Sequence, residues 1–181
     1  YIITGSKLIE SLLLTPEGYK YLSSNKILPQ ISEIFAQVDP FSGILAKEPM
    51  LTKQRLKETL SSGYINFLAV LSKKEVGIKL LEQWQFFSIF HHLIEGSVSN
   101  LKNNYLISMV LTKMDYTIDS QFRIVLAKAL TICSADLKVS LRTTVLLPLM
   151  GKPECERWVV MLFIQRLFDS KLVISEIAIN A

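Results

Sequence analysis

Gly18-x-Lys20-x-Leu22 recurs 59 residues later as Gly77-x-Lys79-x-Leu81, and the likeness extends to either side. Downstream, Ile27, Leu28, Ile31, Ile34 and Phe35 fall opposite Phe86, Phe87, Phe90, Leu93 and Ile94. Upstream, with one residue of slip, Gly5, Ile9, Leu12 and Leu13 fall opposite Gly63, Phe67, Val70 and Leu71. The apolar positions keep three- and four-residue spacings, so the repeated unit is helical with one face to bury. A single copy cannot cover that face, whereas stacked copies cover one another. The repeat therefore predicts an all-α fold, an armadillo/HEAT-like α-solenoid, and a chain that binds rather than catalyses.

The awkward period has a simple origin. Asp39 to Gln54 holds Pro40, Gly43 and Pro49 without sustained periodicity, the signature of a loop. Removing these 16 residues from the offset leaves 43, within the roughly 40–47 residues of HEAT and armadillo repeats. The expected organisation is a single helical-repeat segment over residues 1–181, with approximate units at 5–62, 63–104, 105–149 and 150–181.

Local punctuation predicts where helices begin and end. Thr15-Pro16-Glu17 supplies an N-cap, a first-turn proline and a first-turn acid. That helix is expected to reach Ser24, with another from Ile27 to Val38. Leu56, Leu60, Tyr64, Phe67, Leu68 and Leu71 open the second unit, followed by helices over Glu75–Leu81 and Trp84–Glu95. Gly96 to Asn104 closes it. Phe122, Val125, Leu126, Ala129, Leu130 and Cys133 form an uninterrupted apolar stripe behind the Asp119-Ser120 start signal. The next helix runs to about Leu147, where Pro148, Gly151 and Pro153 are expected to break it. Glu154–Phe168 and Ser170 onward make a final pair. No segment alternates as a strand does.

Half of the residues are hydrophobic, yet no run approaches the roughly 18 uninterrupted apolar residues of a membrane span. The chain carries 20 Lys and Arg against 16 Asp and Glu, but the signs are interspersed and Lys73-Lys74 is the longest basic cluster. A phosphate-tracking stripe needs more basic residues on one face, so no nucleic-acid partner is expected. Two cysteines make no disulfide framework and point to reduced thiols in an intracellular protein. The chain lacks an initiator Met and a signal segment and ends within an apolar-periodic run, which predicts a piece of a longer protein.

Candidate chemical groups fare poorly. His91 and His92 are adjacent on a helix and point about 100° apart, whereas helical metal pairs use i, i+3 or i, i+4 spacing. One is expected to pack in a groove and the other to lie at the surface. Cys133 sits on the apolar stripe and should pack as a small hydrophobe; Cys155, beside Pro153 and Glu154, is expected in an exposed loop. Neither has an evident base to activate it. Asp115 and Asp119 resemble helix-capping carboxylates more than a catalytic pair. Arg123 should pair with one of them or with the next repeat's cap. Trp84 and Trp158, near helix starts, suit core packing, with interface anchoring as the alternative. The chain has no Gly-rich phosphate loop, no GxSxG and no HExxH. No residue is assigned a catalytic, cofactor-binding or metal-binding role, and the chain is read as non-enzymatic.

Gly63-Tyr64 through Leu71-Ser72, then Gly77 and Leu80-Leu81-Glu82, resemble the Rictor family, the defining scaffold of target of rapamycin complex 2. Met114-Asp115-Tyr116-Thr117-Ile118-Asp119-Ser120 followed by Arg123 to Thr131 is similar to that family's central DYS.D…R..LSKALT stretch, with Ala127 in place of a Ser. Leu141-Arg142, then Trp158 with Gln165-Arg166-Leu167-Phe168-Asp169, resemble its W…L…QLYD stretch. The resemblance implies a central part of a long helical-repeat scaffold that sits on the target of rapamycin kinase with other subunits. It implies an assembly that phosphorylates AGC-family kinases and regulates the actin cytoskeleton, in the cytoplasm and peripherally at the plasma membrane. The alternative is a generic armadillo/HEAT adaptor holding a peptide in its groove. Such adaptors line the groove with a ladder of Asn and Trp, of which only Asn66 and Trp84 are hints here.

Overall fold

A computed structural model of the chain describes residues 1–165, and every regular element among them is helical. Helices α1 (Ile2–Leu12), α2 (Pro16–Ser24) and α3 (Ile27–Ala36) precede the long loop. Beyond it come α4 (Lys53–Glu58), α5 (Ser62–Ser72), α6 (Glu75–Gln83) and α7 (Phe86–Gly96). Then follow α8 (Asn104–Lys113), α9 (Gln121–Ile132) and α10 (Ala135–Leu141). A π-helical turn over Arg142–Leu146 continues into α11 (Leu147–Leu149), and residues 153–165 form α12.

Three hydroxyls start helices, Thr15 and Ser120 where the sequence predicts a start and Thr52 within the expected loop. Thr15 Oγ1 accepts from the Gly18 N–H at 3.1 Å, Thr52 Oγ1 from Arg55 at 3.3 Å, and Ser120 Oγ from Phe122 at 3.3 Å. Each satisfies a donor that the first helical turn leaves unpaired.

The repeated glycines mark two identical constraints. A Cβ on Gly18 would lie 1.9 Å from the Leu12 carbonyl oxygen, and one on Gly77 would lie 2.1 Å from that of Leu71. In both copies the second helix touches the backbone end of the first, which only a residue without a side chain permits. The 59-residue repeat is thus a repeated tight corner, α1 to α2 and α5 to α6.

The helices after and before the corners pack side by side. α1 lies against α5, α5 against α8, and α8 against α10; on the other side α3 lies against α7 and α7 against α9. Helix α7, covered on both flanks, buries Phe86, Phe87, Ile89, Phe90, Leu93 and Ile94. Edge-on ring contacts join the flanks: Phe35 with Phe86 at 5.9 Å, Phe35 with Phe90 at 5.8 Å, and Phe87 with Phe122 at 4.8 Å. The stripe from Phe122 to Cys133 faces this core throughout.

Three expectations need correction. Leu60 is 68% exposed, because Thr59 turns the chain out of α4. Its hydroxyl donates to the Arg55 carbonyl at 2.6 Å and accepts from the Ser61 N–H at 3.1 Å, so the apolar series is shared between two helices. Pro148 does not break its helix. Its ring would crowd the carbonyl four residues back and it offers no N–H, and the wider π-helical turn just before it accommodates both defects. Cys155 is fully buried near the start of α12 instead of exposed in a loop, for the tertiary reason given below. The family-like positions from Arg166 to Asp169, the end of the Glu154–Phe168 helix and the helix expected from Ser170 lie outside the described residues.

Candidate functional site

Two non-helical segments are tied to the helices by side-chain hydrogen bonds. The first is the 39–52 loop. Asp39, with its side chain 6% exposed, accepts from the Phe41 N–H through Oδ1 at 2.8 Å and meets His92 Nδ1 through Oδ2 at 2.9 Å. A carboxylate only accepts, so His92 presents its hydrogen on Nδ1. Phe41 packs edge-on over the same imidazole at 5.1 Å. Pro40 sits so close to α7 that a Cβ on Gly96 would lie 2.7 Å from its ring. Asn103 donates to the Val38 carbonyl at 3.1 Å, and Met50 N–H donates to Gln37 Oε1 at 3.1 Å. Pinned in this way, the loop still exposes Phe41, Ile44 and Leu45.

The second segment, residues 114–120, crosses between α8 and α9 without forming a helix. Ser72, buried at the end of α5, accepts from the Asp115 N–H at 2.9 Å. Tyr116 is buried, donates to the Leu111 carbonyl at 2.5 Å and stacks on Trp158 of α12 at 6.0 Å. Arg123 closes the arrangement. Its Nε donates to the Tyr116 carbonyl at 3.0 Å, and its Nη2 to the carbonyls of Thr117 at 3.3 Å and Glu154 at 3.2 Å. Its guanidinium lies 5.0 Å from the Trp158 ring centre, a favourable cation–π distance. Cys155 Sγ donates to the Tyr116 carbonyl at 3.3 Å, and this contact is what buries it.

Arg123 therefore serves backbone carbonyls, and the expected aspartate pairing is marginal: Asp119 is 4.0 Å away and 90% exposed, a geometry worth little in water. Nor do the aspartates cap α9. Asp115 accepts from the Thr117 N–H at 2.8 Å within its own turn, and Ser120 takes the cap. Positions from three separate family-like stretches, Ser72, Tyr116, Arg123 and Trp158, meet at this one junction.

Burial pushes the Tyr116 phenol and the Cys155 thiol up, the latter against the opposing pull of Arg123. Burial likewise raises the Cys133 thiol, so both sulfurs stay protonated at neutral pH. His91 and His92 are both half-buried; burial and then Lys128 lower the former. Among the described residues no group of His, Cys, Asp and Glu could hold a metal ion, and no helix is long and apolar enough to cross a membrane. Asn66 and Trp84 do not form a ladder. Asn66 lines a groove beside α1 and accepts from Lys113 at 2.7 Å, whereas Trp84, at the α6–α7 corner, packs against the core with its indole nitrogen buried.

The family model described as rapamycin-insensitive companion of mTOR, middle domain, matches residues 42–150. This chain belongs to the Rictor family. The matched range holds Ser72, Tyr116 and Arg123 and most of the pinned loop. A target of rapamycin complex 2 subunit of Schizosaccharomyces pombe is 34% identical over 99% of the chain and 14% of its own length. Another complex 2 subunit, from Saccharomyces cerevisiae, is 26% identical over 77% of the chain and 9% of its own length. The human rapamycin-insensitive companion of mTOR is 27% identical over 98% of the chain and 10% of its own length. The Rictor-family chain thus spans about one seventh or less of these relatives. No solved structure is a significant match.

Proposed function

We propose that this chain is a non-catalytic stretch of an armadillo/HEAT-like α-solenoid within a scaffold subunit of target of rapamycin complex 2. The observation carrying this reading is the 34% identity, over 99% of the chain, to a complex 2 subunit of S. pombe. Two flanking rows of helices, with identical corners at Gly18 and Gly77, support the solenoid and units near 5–62, 63–104, 105–149 and 150–181. In this reading the units contact the target of rapamycin kinase or its other subunits, and AGC-family kinases are reached indirectly through the assembly. The complex works in the cytoplasm with peripheral attachment to the plasma membrane.

The pinned loops fit such a role. A scaffold surface binds better when its loops are already ordered, because less conformational entropy is lost on docking. The test is recovery of the kinase with the tagged full-length parent under mild conditions. Recovery with the intact parent and loss on replacing the Phe41–Leu45 tip by Ser and Gly is the expected pattern. Failure to recover the kinase with the intact parent would remove the assignment.

A further inference from the structure

We propose that one end of the helical rows docks into an apolar pocket ringed by carboxylates, on the partner through which this chain joins the kinase assembly. The inference rests on the scaffold reading above and names the chemistry of the partner's contact surface. Two connections build the face, the 39–52 loop and residues 97–103 between α7 and α8. Leu45 is 99% exposed and Val98 65%, and Phe41, Ile44 and Leu101 are exposed with them. The connections are joined where Pro40 meets Gly96 and where Asn103 donates to the Val38 carbonyl. Their apolar side chains therefore share one surface, of the kind that marks an interaction site.

The charge around it is one-sided. Lys47, Lys53, Lys57 and Lys102 are exposed, and among the described residues none has a carboxylate within ion-pairing distance. Lys53 and Lys57 both lie over the Tyr105 ring, 5.8 and 5.4 Å from its centre, which gathers like charges at the start of α8. Both acids of the 39–52 loop are already matched, Asp39 with His92 and Glu48 with Arg55, and Glu58 of α4 is held by Gln54.

Neighbouring repeats do not account for this face. Repeats stack along the sides of helices, and α7 already has α3 and α9 on its flanks. The connections instead leave from helix ends. The long-range anchors of the 39–52 loop, His92, Gly96 and Asn103, all lie later in the chain, so the face is built from its middle and not from its first helix. A convex apolar tip calls for a concave receptor, and free lysines around it call for an acidic rim. A nucleic-acid backbone would use the lysines and leave the apolar side chains wet. A bilayer would take both, but a fluid surface gains nothing from two connections pinned at a fixed spacing, whereas a protein pocket does.

The experiment uses the tagged full-length parent, free and with the kinase recovered on it. Leu45→Cys is treated with a maleimide and read at that residue by mass spectrometry. Labelling should be fast in the free parent and about tenfold slower in the complex. Slow labelling of the free parent means that its own chain covers the tip and overturns the proposal, as does equal labelling in both states. Lys53→Glu, Lys57→Glu and Lys102→Glu together should lower kinase recovery about tenfold. Val98→Ser with Leu101→Ser should do the same. Lys20→Glu with Lys79→Glu, exposed on α2 and α6, is the matched control and should leave recovery unchanged. Every substituted side chain is exposed, so the melting temperature should not move. Recovery indifferent to both face variants, or lowered equally by the control, overturns the partner chemistry and leaves membership of the assembly standing. Sedimentation of the free parent with phosphatidylserine vesicles, lost in Val98→Ser with Leu101→Ser while Leu45→Cys labels equally in both states, assigns the face to a bilayer and also overturns it.

Discussion

Replacing Gly77 by Ala tests the corner that defines the repeat. The new Cβ would lie 2.1 Å from the Leu71 carbonyl oxygen and 2.7 Å from the Leu71 carbonyl carbon and Cα. The obstacle is backbone, so no side-chain rotation relieves it, and the start of α6 must retreat from α5 by about 1 Å to restore ordinary contact. That movement loosens Leu71, Leu80 and Leu81, all fully buried. Each buried aliphatic is worth about 1.5–3 kcal/mol, of which a partial separation forfeits a fraction. Alanine returns about 1 kcal/mol of helix propensity. The net loss is about 2–4 kcal/mol, at the upper end of what overpacked cores lose because the obstacle is backbone. For a domain of this size that lowers Tm by about 4–16 °C. Gly5→Ala is the matched control, because nothing lies within 4 Å of its Cβ position; it should gain about 0.5–1 kcal/mol. Urea unfolding followed by far-ultraviolet circular dichroism reads both. A Gly77→Ala loss below about 0.5 kcal/mol, or an equal loss from Gly5→Ala, would refute the reasoning.

Leu126, fully buried in the α9 stripe, should cost about 2–5 kcal/mol on truncation to Ala; an unchanged midpoint would mean that the stripe does not face the core. Arg123→Lys keeps the charge and loses the planar fork that reaches three carbonyls. It should cost about 2–4 kcal/mol and speed amide exchange selectively over residues 114–120; uniform exchange changes would contradict the junction. His91 has its pKa lowered by burial, so the unfolded chain takes up its proton first as pH falls. Its contribution is present above pH 6.5, the ordinary imidazole value, and is lost as pH falls below it. His91→Leu should flatten this part of the stability–pH curve, and an unaltered curve would sink the assignment.

The features legible in the sequence are those that neighbouring residues decide. Thr15 and Ser120 cap helices through donors two or three residues away, so their signals survive without tertiary information. The α9 stripe and the paired glycines were visible for the same reason: helical period and backbone clearance act within one unit. For Cys155 the flanking Pro153 and Glu154 suggest a loop, while its burial comes with a contact to Tyr116, 39 residues earlier. Arg123 was expected to seek a carboxylate, but three carbonyls brought to it by the 114–120 turn and α12 satisfy it better.

By itself the sequence determined an all-helical chain, a repeated helical unit and the loop between two copies, because capping and periodicity are short-range constraints; the family came from its resemblance to known members. Only the tertiary structure decided that the long loop is latched by Asp39 and His92. It also decided that Ser72, Tyr116, Arg123 and Trp158 form one junction, and that the 39–52 and 97–103 connections share one face. Those residues lie tens of positions apart, and their energies exist only once stacked helices exclude water and bring them within contact distance.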